Sequence, residues 1–152
     1  MSMDLLDIFA NRILIIGLIA WGLAQIIKIP VEYILKRRWD WALLLRVGGM
    51  PSSHSALIAA ITHAIGLFTG FSSALYALSF VLAMIVIYDA TGIRRQAGKH
   101  AEIINTIISD LAHGHPLRQK QLREVLGHTP LEAIAGMLFG LGIAQVAWMM
   151  WG

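Results

Sequence analysis

Long apolar stretches alternate with polar connections along this chain. Four of them approach the roughly 20 apolar residues that a helix needs to cross a bilayer. They cover residues 8–29, 52–71, 72–91 and 130–151. Only the short segment 70–73 separates the second from the third, which predicts an antiparallel helical hairpin. The pattern predicts an all-α, polytopic membrane protein with about four transmembrane helices, folded as a single domain over residues 1–152.

Two further patterns refine this picture. Small residues recur in the apolar stretches, and Gly136 and Gly140 have the spacing that lets two helices approach closely. In the polar connection 92–129, the apolar residues fall on one face of a helix; they are Ile103, Ile104, Ile107, Ile108 and Leu111. This is typical of an amphipathic helix that lies at a membrane surface or caps a bundle. A short helix, about residues 117–126, is expected before the last span.

Composition supports a membrane protein. The chain is 57% hydrophobic and 14% charged, whereas about a quarter of the residues in a soluble domain are charged. The net charge of +3 would be compatible with nucleic-acid binding. However, the basic residues lie in the connections between apolar stretches, which indicates membrane topology or contacts with anionic lipid and phosphate. We therefore expect the bilayer, and no nucleic acid, as a partner.

The distribution of positive charge predicts the orientation. Both polar connections fall on the same side of a four-span bundle, and they carry Lys36, Arg37, Arg38 and Lys120. The positive-inside rule places that side in the cytoplasm and both termini outside. Asp4 and Asp7 precede the first apolar stretch where a signal peptide would be basic, so we expect this stretch to be retained.

This topology brings three distant segments to one membrane level. Residues 51–54 open the second span, residues 89–95 close the third, and residues 128–132 open the fourth. Lys28 and Arg46 are expected near the same level. The convergence of polar groups at one membrane face predicts a functional site there.

The entrance of the fourth span combines a histidine and a carboxylate. His128 and Glu132 are four residues apart, so on a helix the carboxylate can accept a hydrogen bond from the imidazole and fix its tautomer. The other ring nitrogen is then available as a nucleophile or base. The alternative is a capping box, with Thr129 as N-cap and Pro130 as the first helical residue. Spacing alone slightly favours the cap, although the two carboxylate oxygens could divide the roles.

Glycines precede the second span and lead directly into its start. A phosphate can bind the N–H groups and positive dipole end of such a helix, with the hydroxyls of Ser52 or Ser53 as further donors. His54, in the first turn, could protonate a leaving oxygen. The alternative is an ordinary serine N-cap beside an interfacial histidine.

Asp89, Arg94 and Arg95 surround the end of the third span. Arginine suits bidentate binding of a phosphoryl group, and adjacent helical residues point about 100° apart, so we expect one of the two arginines to reach a substrate. The alternative is that these arginines only set the membrane orientation, because arginines are common at cytoplasmic helix ends.

His63, in mid-span, is interpreted as a neutral, hydrogen-bonded packing residue. His113 and His115 are weak evidence for a metal site, so no metal or cofactor is expected.

These blocks resemble a known family. Pro51-Ser52-Ser53-His54 is similar to the Pro-Ser-Gly-His motif of the type-2 phosphatidic acid phosphatase superfamily, which includes vanadium haloperoxidases. Residues 128–136 resemble its last motif, His-x-x-x-Asp followed by glycine. Residues 50–56, 89–95 and 126–132 together resemble the divergent bacterial and plastid branch. Together with the positive-inside orientation, the resemblance indicates a bacterial inner (cell) membrane protein whose active site faces the cytoplasm.

The resemblance also implies a mechanism, that of a metal-independent lipid-phosphate phosphatase. His128 would attack phosphorus to form a phosphohistidine, Glu132 would orient His128, and His54 would protonate the leaving alkoxide and then activate water. Hydroxyl and cationic side chains would hold the phosphate oxygens, with Asp89 in support; the candidates are Ser52, Ser53, Lys28, Arg46, Arg94, Arg95 and Arg123.

The sequence departs from the superfamily in its cations. The usual Lys-x6-Arg-Pro motif is missing before Pro51, with Lys28 and Arg46 as stand-ins, and Arg123 comes one residue late for the usual Ser-Arg pair.

The alternative function is a catalytically inactive membrane protein that binds anionic lipid head groups or protein partners through the same basic face. A small-solute transporter ranks third. Four short helices are few to enclose a head group, which makes a homodimer worth testing.

Overall fold

The computed structural model describes residues 5–37, 39, 41–44, 48–112 and 129–152. Throughout these residues the chain is helical or irregular and contains no β-strand, so the predicted all-α fold is confirmed. The α-helices are α1 (Arg12–Lys36), α2 (Ser53–Thr69), α3 (Ala74–Thr91), α4 (Ile93–Ala112) and α5 (Pro130–Trp151). Two 3-10 segments, Leu5–Ala10 and Trp41–Leu44, precede α1 and α2 respectively.

Polar caps define where the apolar helices begin. Ser52, Ser73 and Thr129 each accept a hydrogen bond from the backbone N–H three residues later. Such a side chain satisfies one of the N–H groups that a helix start leaves without a partner. These local signals place the starts of α2, α3 and α5 within two residues of the predicted ones.

The bounds of α1 differ from the prediction. Asn11 caps the helix, which therefore begins after residue 8 and continues past residue 29 to Lys36. Pro30 lies inside the helix instead of ending it. A proline removes one backbone hydrogen bond, but in apolar surroundings a continued helix keeps the other backbone groups paired.

α4 is longer than its apolar pattern indicated, because it begins immediately after Gly92. Among the described elements α4 packs only against α3, and Ile103, Ile107 and Leu111 are exposed. The apolar face of α4 is thus exposed, as expected of an amphipathic helix at a membrane surface. The predicted short helix 117–126 lies outside the described residues.

Helices α1, α3 and α5 are long and apolar enough to cross a membrane. α2 is apolar but shorter, with 17 residues. It is the central helix, in contact with α1, α3 and α5. Of the four predicted spans, three therefore have full membrane-spanning length, and the shorter α2 lies between them.

Small residues form the centre of the bundle, and large apolar residues face outward. Ala24, Ala56 and Ala60 are fully buried. A side chain at Gly136 or Gly140 would collide with the α2 backbone, at the carbonyls of Ser52 and Ala56. This is the packing expected where lipid surrounds the helices and close backbone approach provides the attraction. The predicted role of the small residues is confirmed.

Candidate active site

The ends of α1 and α5 define the level of the candidate site. Arg12 Nη1 donates a hydrogen bond to the carbonyl of Trp151, so the first residue of α1 lies beside the last turn of α5. At 1.5 Å per residue, Lys28 and Glu132 lie about 24 Å and about 28 Å along the two helices from this contact. The two residues therefore meet near the opposite end of the bundle.

Lys28 is the charged residue at the centre of this end. Its side chain is only 2% exposed, and Nζ donates hydrogen bonds to Gln25 Oε1 and to Ser53 Oγ, the latter at 3.2 Å. An ammonium group on a membrane-spanning helix is expensive unless polar groups surround it. The structure thus joins α1 to the first turn of α2 through a buried cation.

The starts of α2 and α5 are joined directly through the backbone. The Ser52 N–H donates to the Glu132 carbonyl at 3.0 Å. The fully buried Ser52 Oγ accepts from the Ser55 N–H at 3.3 Å and from Ser55 Oγ at 3.1 Å. Gly136 permits this approach, because it packs against the Ser52 carbonyl. Two helix N-termini, each a positive dipole end, consequently lie side by side.

Glu132 forms the capping box that its spacing allowed. The Thr129 N–H donates to Glu132 Oε2 at 3.0 Å, and the Glu132 N–H donates to Thr129 Oγ1 at 3.3 Å, with Pro130 in the first turn. The Glu132 carboxylate also interacts electrostatically with Lys28. His128, the predicted partner of Glu132, immediately precedes Thr129 in sequence and lies outside the described residues.

The glycine turn before α2 passes the buried lysine. Gly48 and Gly49 have φ values of 112° and 83°, which other residues rarely adopt. A Cβ on Gly49 would lie 3.8 Å from Lys28 Cδ. The turn thus runs along the aliphatic stem of Lys28 before the chain enters α2.

Gln25 was not among the sequence candidates. It accepts a hydrogen bond from Lys28, and its Nε2 donates to the Leu44 carbonyl at 2.8 Å. It therefore both orients the cation and fixes the 3-10 segment Trp41–Leu44 to α1. The sequence signal that could have identified Gln25 was its position three residues before Lys28 on a mostly apolar helix, because side chains at this spacing are neighbours.

The remaining candidates are described only in part. His54 lies in the first turn of α2 and Asp89 near the end of α3; both are half-buried and engaged in interactions. Arg94 and Arg95 belong to the first turn of α4, but their side chains are not described. Arg46 and Arg123 lie outside the described residues. His63 Nε2 is hydrogen-bonded to Gln145 Oε1 at 3.1 Å, which agrees with a packing role.

Comparison with known proteins now decides the family. The model of the "Divergent PAP2 family" matches residues 9–143, which is most of the chain. The chain belongs to the divergent PAP2 family. "Uncharacterized membrane protein YuiD" of Bacillus subtilis (strain 168) is 40% identical, over 93% of this chain and 96% of that protein. No solved structure matches the chain.

Membership in the divergent PAP2 family confirms the resemblance drawn from residues 50–56, 89–95 and 126–132. Together with the apolar helices, it also establishes that this is a membrane protein. A phosphatase-related role is consistent with the family.

Proposed function

We propose that this divergent PAP2 protein is a lipid-phosphate phosphatase whose active site faces the cytoplasm. The observation that carries the proposal is the junction of three helices around Lys28. A buried ammonium group, the hydroxyl of Ser53 and the N-termini of α2 and α5 lie together. All of these features attract an anion, and a phosphate monoester at a membrane surface is an anion of suitable size.

The reaction we propose needs no metal. His128 attacks phosphorus, the ester P–O bond breaks, and His54 transfers a proton to the departing alkoxide. Water then attacks the phosphohistidine while His54 takes its proton, which releases inorganic phosphate and regenerates both histidines. Glu132 orients His128 through the carboxylate oxygen that does not cap α5.

Lys28 supports this chemistry because its ammonium group is already held in a fixed position before a substrate binds. Donors that are already oriented in a water-poor site stabilise the charge that develops on transferred phosphoryl oxygens without reorganising. Gln25 and Ser53 fix the position of Nζ. The further cations that we assign to the phosphate are Arg46, Arg123 and one of the adjacent Arg94 and Arg95.

The test compares two histidine variants in purified protein. We expect His128→Ala to abolish phosphate release from phosphatidic acid, phosphatidylglycerophosphate or a polyprenyl phosphate, while the protein stays folded in detergent. His100→Ala is the control, because His100 is exposed on α4 and outside the proposed site. Undiminished turnover by His128→Ala would contradict the mechanism.

Vanadate separates the enzyme from the alternative, a catalytically inactive protein that binds lipid head groups. Vanadate mimics the five-coordinate phosphorus of the transfer step, so we expect it to inhibit the wild-type protein and to bind far more weakly to His128→Ala. A head-group binder would retain lipid but show no vanadate binding that depends on His128.

A further inference from the structure

A cavity of about 470 Å³ lies between α2, α3 and α5, separate from the candidate site. Its longest wall is a single stripe of α3 that runs from Tyr76 to Thr91, a distance of about 22 Å along the helix axis. α2 contributes Ala59, Thr62 and His63, and α5 contributes Met137 and Leu141. The volume falls within the range of roughly 300–1,000 Å³ that is common for small-ligand pockets.

Three polar side chains in the walls of this cavity, those of Thr62, His63 and Thr91, have partners. Thr62 Oγ1 donates to the Ser79 carbonyl at 3.2 Å. His63 Nε2 is hydrogen-bonded to Gln145 Oε1 at 3.1 Å. The remaining lining is mostly aliphatic and aromatic, including Ala83, Met84 and Ile87. A ligand therefore meets an apolar surface, which favours hydrocarbon over a polar solute.

One end of the cavity approaches the candidate site. Its walls begin at Ala59 on α2 and at Met137 on α5. Along the helix axes these residues are about 10 Å from Ser52 and about 8 Å from Glu132. The α3 wall reaches Thr91, the last residue of that helix. A molecule with its polar group at the N-termini of α2 and α5 could therefore extend an apolar tail into the cavity.

Aromatic rings lie at the other end of the cavity. Tyr76 and Phe80 line the cavity there, with ring centroids 6.1 Å apart. Phe71 packs edge-on against Tyr76 at 5.1 Å and lies 6.0 Å from the ring of His63. This cluster of four rings is held in place by its mutual contacts, so it limits how far a chain can penetrate.

We infer that the cavity holds one hydrocarbon chain of the membrane lipid whose phosphate occupies the candidate site. The aromatic cluster of His63, Phe71, Tyr76 and Phe80 sets the depth that the chain reaches. The inference rests on the proposed function for the position of the head group, but it does not require turnover. Because a bilayer is as apolar as the cavity, the fit of the chain, rather than exclusion from water, decides the binding.

Photo-cross-linking tests the inference without catalysis. The probe is a phosphonate analogue of phosphatidic acid, which cannot be hydrolysed, with a diazirine either at mid-chain or at the chain end. We expect the mid-chain probe to label Met84 or Met137 and the chain-end probe to label Tyr76 or Phe80. Labelling spread over the outward face of α3, for example at Leu78 and Leu82, would overturn the inference.

Matched variants show whether the cavity itself is occupied. Ala83→Phe fills the cavity and should reduce cross-linking at least about tenfold, the scale by which one misfitting group alters binding in an apolar pocket. Leu82→Phe places the same ring on the adjacent, exposed position and should have no effect. Equal cross-linking in both variants would refute the assignment.

A second pair of variants tests the same inference if the Ala83→Phe protein does not fold. Met84→Trp narrows the exposed rim of the cavity, and Ile85→Trp is its outward-facing control. Only the first should weaken cross-linking. If the labels fall in the cavity although phosphate release is absent, the lipid-chain site stands and the proposed catalysis does not.

Discussion

Lys28 is an exception to the rule that the buried positions of a membrane-spanning helix are apolar or small. Between Gln25 and Glu32 the other residues of this α1 segment are apolar, yet the Lys28 ammonium group is buried there at 2% exposure. Such a group persists in a membrane protein when function or a polar network requires it. Here the network comprises Gln25 and Ser53, with Glu132 as the nearby opposite charge.

Lys28→Met separates the functional role of the ammonium from a structural one. The methionine keeps most of the side-chain length but removes the charge. We expect phosphate release to fall by roughly 100-fold or more, the loss seen when one oriented donor is removed from a charge-stabilising site. Stability should change little, because the hydrogen bonds that Gln25 and Ser53 lose oppose the desolvation cost that is removed with the buried charge.

Two measurements check this prediction in detergent: phosphate release from phosphatidic acid and the midpoint of thermal unfolding. Full activity in Lys28→Met would show that Lys28 has no role in the proposed reaction. A fall in activity with a parallel collapse of the unfolding midpoint would assign Lys28 a structural role instead.

At the scale of elements, the contact between α2 and α5 positions the site. Gly136 and Gly140 are one turn apart, and each packs against the backbone of α2. Only a residue without a side chain allows the Ser52 N–H to reach the Glu132 carbonyl at 3.0 Å. The same contact that stabilises the bundle therefore also brings the two helix N-termini together.

Gly136→Ala should separate these helices. The new methyl group would overlap the Ser52 carbonyl, and overpacking of this kind costs about 1–3 kcal/mol. Gly142→Ala is the matched control on the same helix, because a Cβ there meets no atom within 4 Å. We expect a lower unfolding midpoint and reduced phosphate release for Gly136→Ala. Gly142→Ala should show neither effect, because alanine favours the helix at an open position.

These variants are compared by thermal unfolding and activity in the same detergent. Equal midpoints for Gly136→Ala and Gly142→Ala would contradict the close packing of α2 on α5. A stable Gly136→Ala protein with full activity would show that the site does not depend on this contact.

At the scale of the whole molecule, charge predicts orientation. The turn between α2 and α3, residues 70–73, carries no charged residue, whereas the segments after α1 and α3 contain lysines and arginines. Tyr33, Trp39 and Trp41 stack beside the first of these segments, with centroids 4.5 Å and 6.2 Å apart. Such aromatic residues are enriched at the membrane–water boundary. We therefore predict that the site faces the cytoplasm.

Single-cysteine labelling checks this orientation, since the chain contains no cysteine of its own. The exposed Ser72 in the turn and the exposed Gln96 on α4 are suitable positions. In intact bacterial cells, a membrane-impermeant maleimide should label Ser72→Cys, and it should label Gln96→Cys only after permeabilisation. The opposite pattern would place the site outside the cell.

The sequence by itself determined the helices and the family. The starts of α2, α3 and α5 follow from serine or threonine caps before apolar runs, because capping and helix formation depend on nearby residues. The apolar stretch that ends at residue 29 did not indicate that α1 continues through Pro30 to Lys36, where apolar surroundings favour a continued helix. The motifs around Ser52 and Glu132 were sufficient to indicate the divergent PAP2 family.

Only the tertiary structure decided which side chains meet. Gln25 was missed, and Lys28 was one of several cations, because their pairing depends on how α1 is rotated against α2. Glu132 had two possible roles, and the folded chain realises the cap. The cavity beside α3 could not be foreseen at all, because it arises from the separation of three helices. Local patterns specify elements, whereas a site and a cavity depend on distances between elements that no single segment encodes.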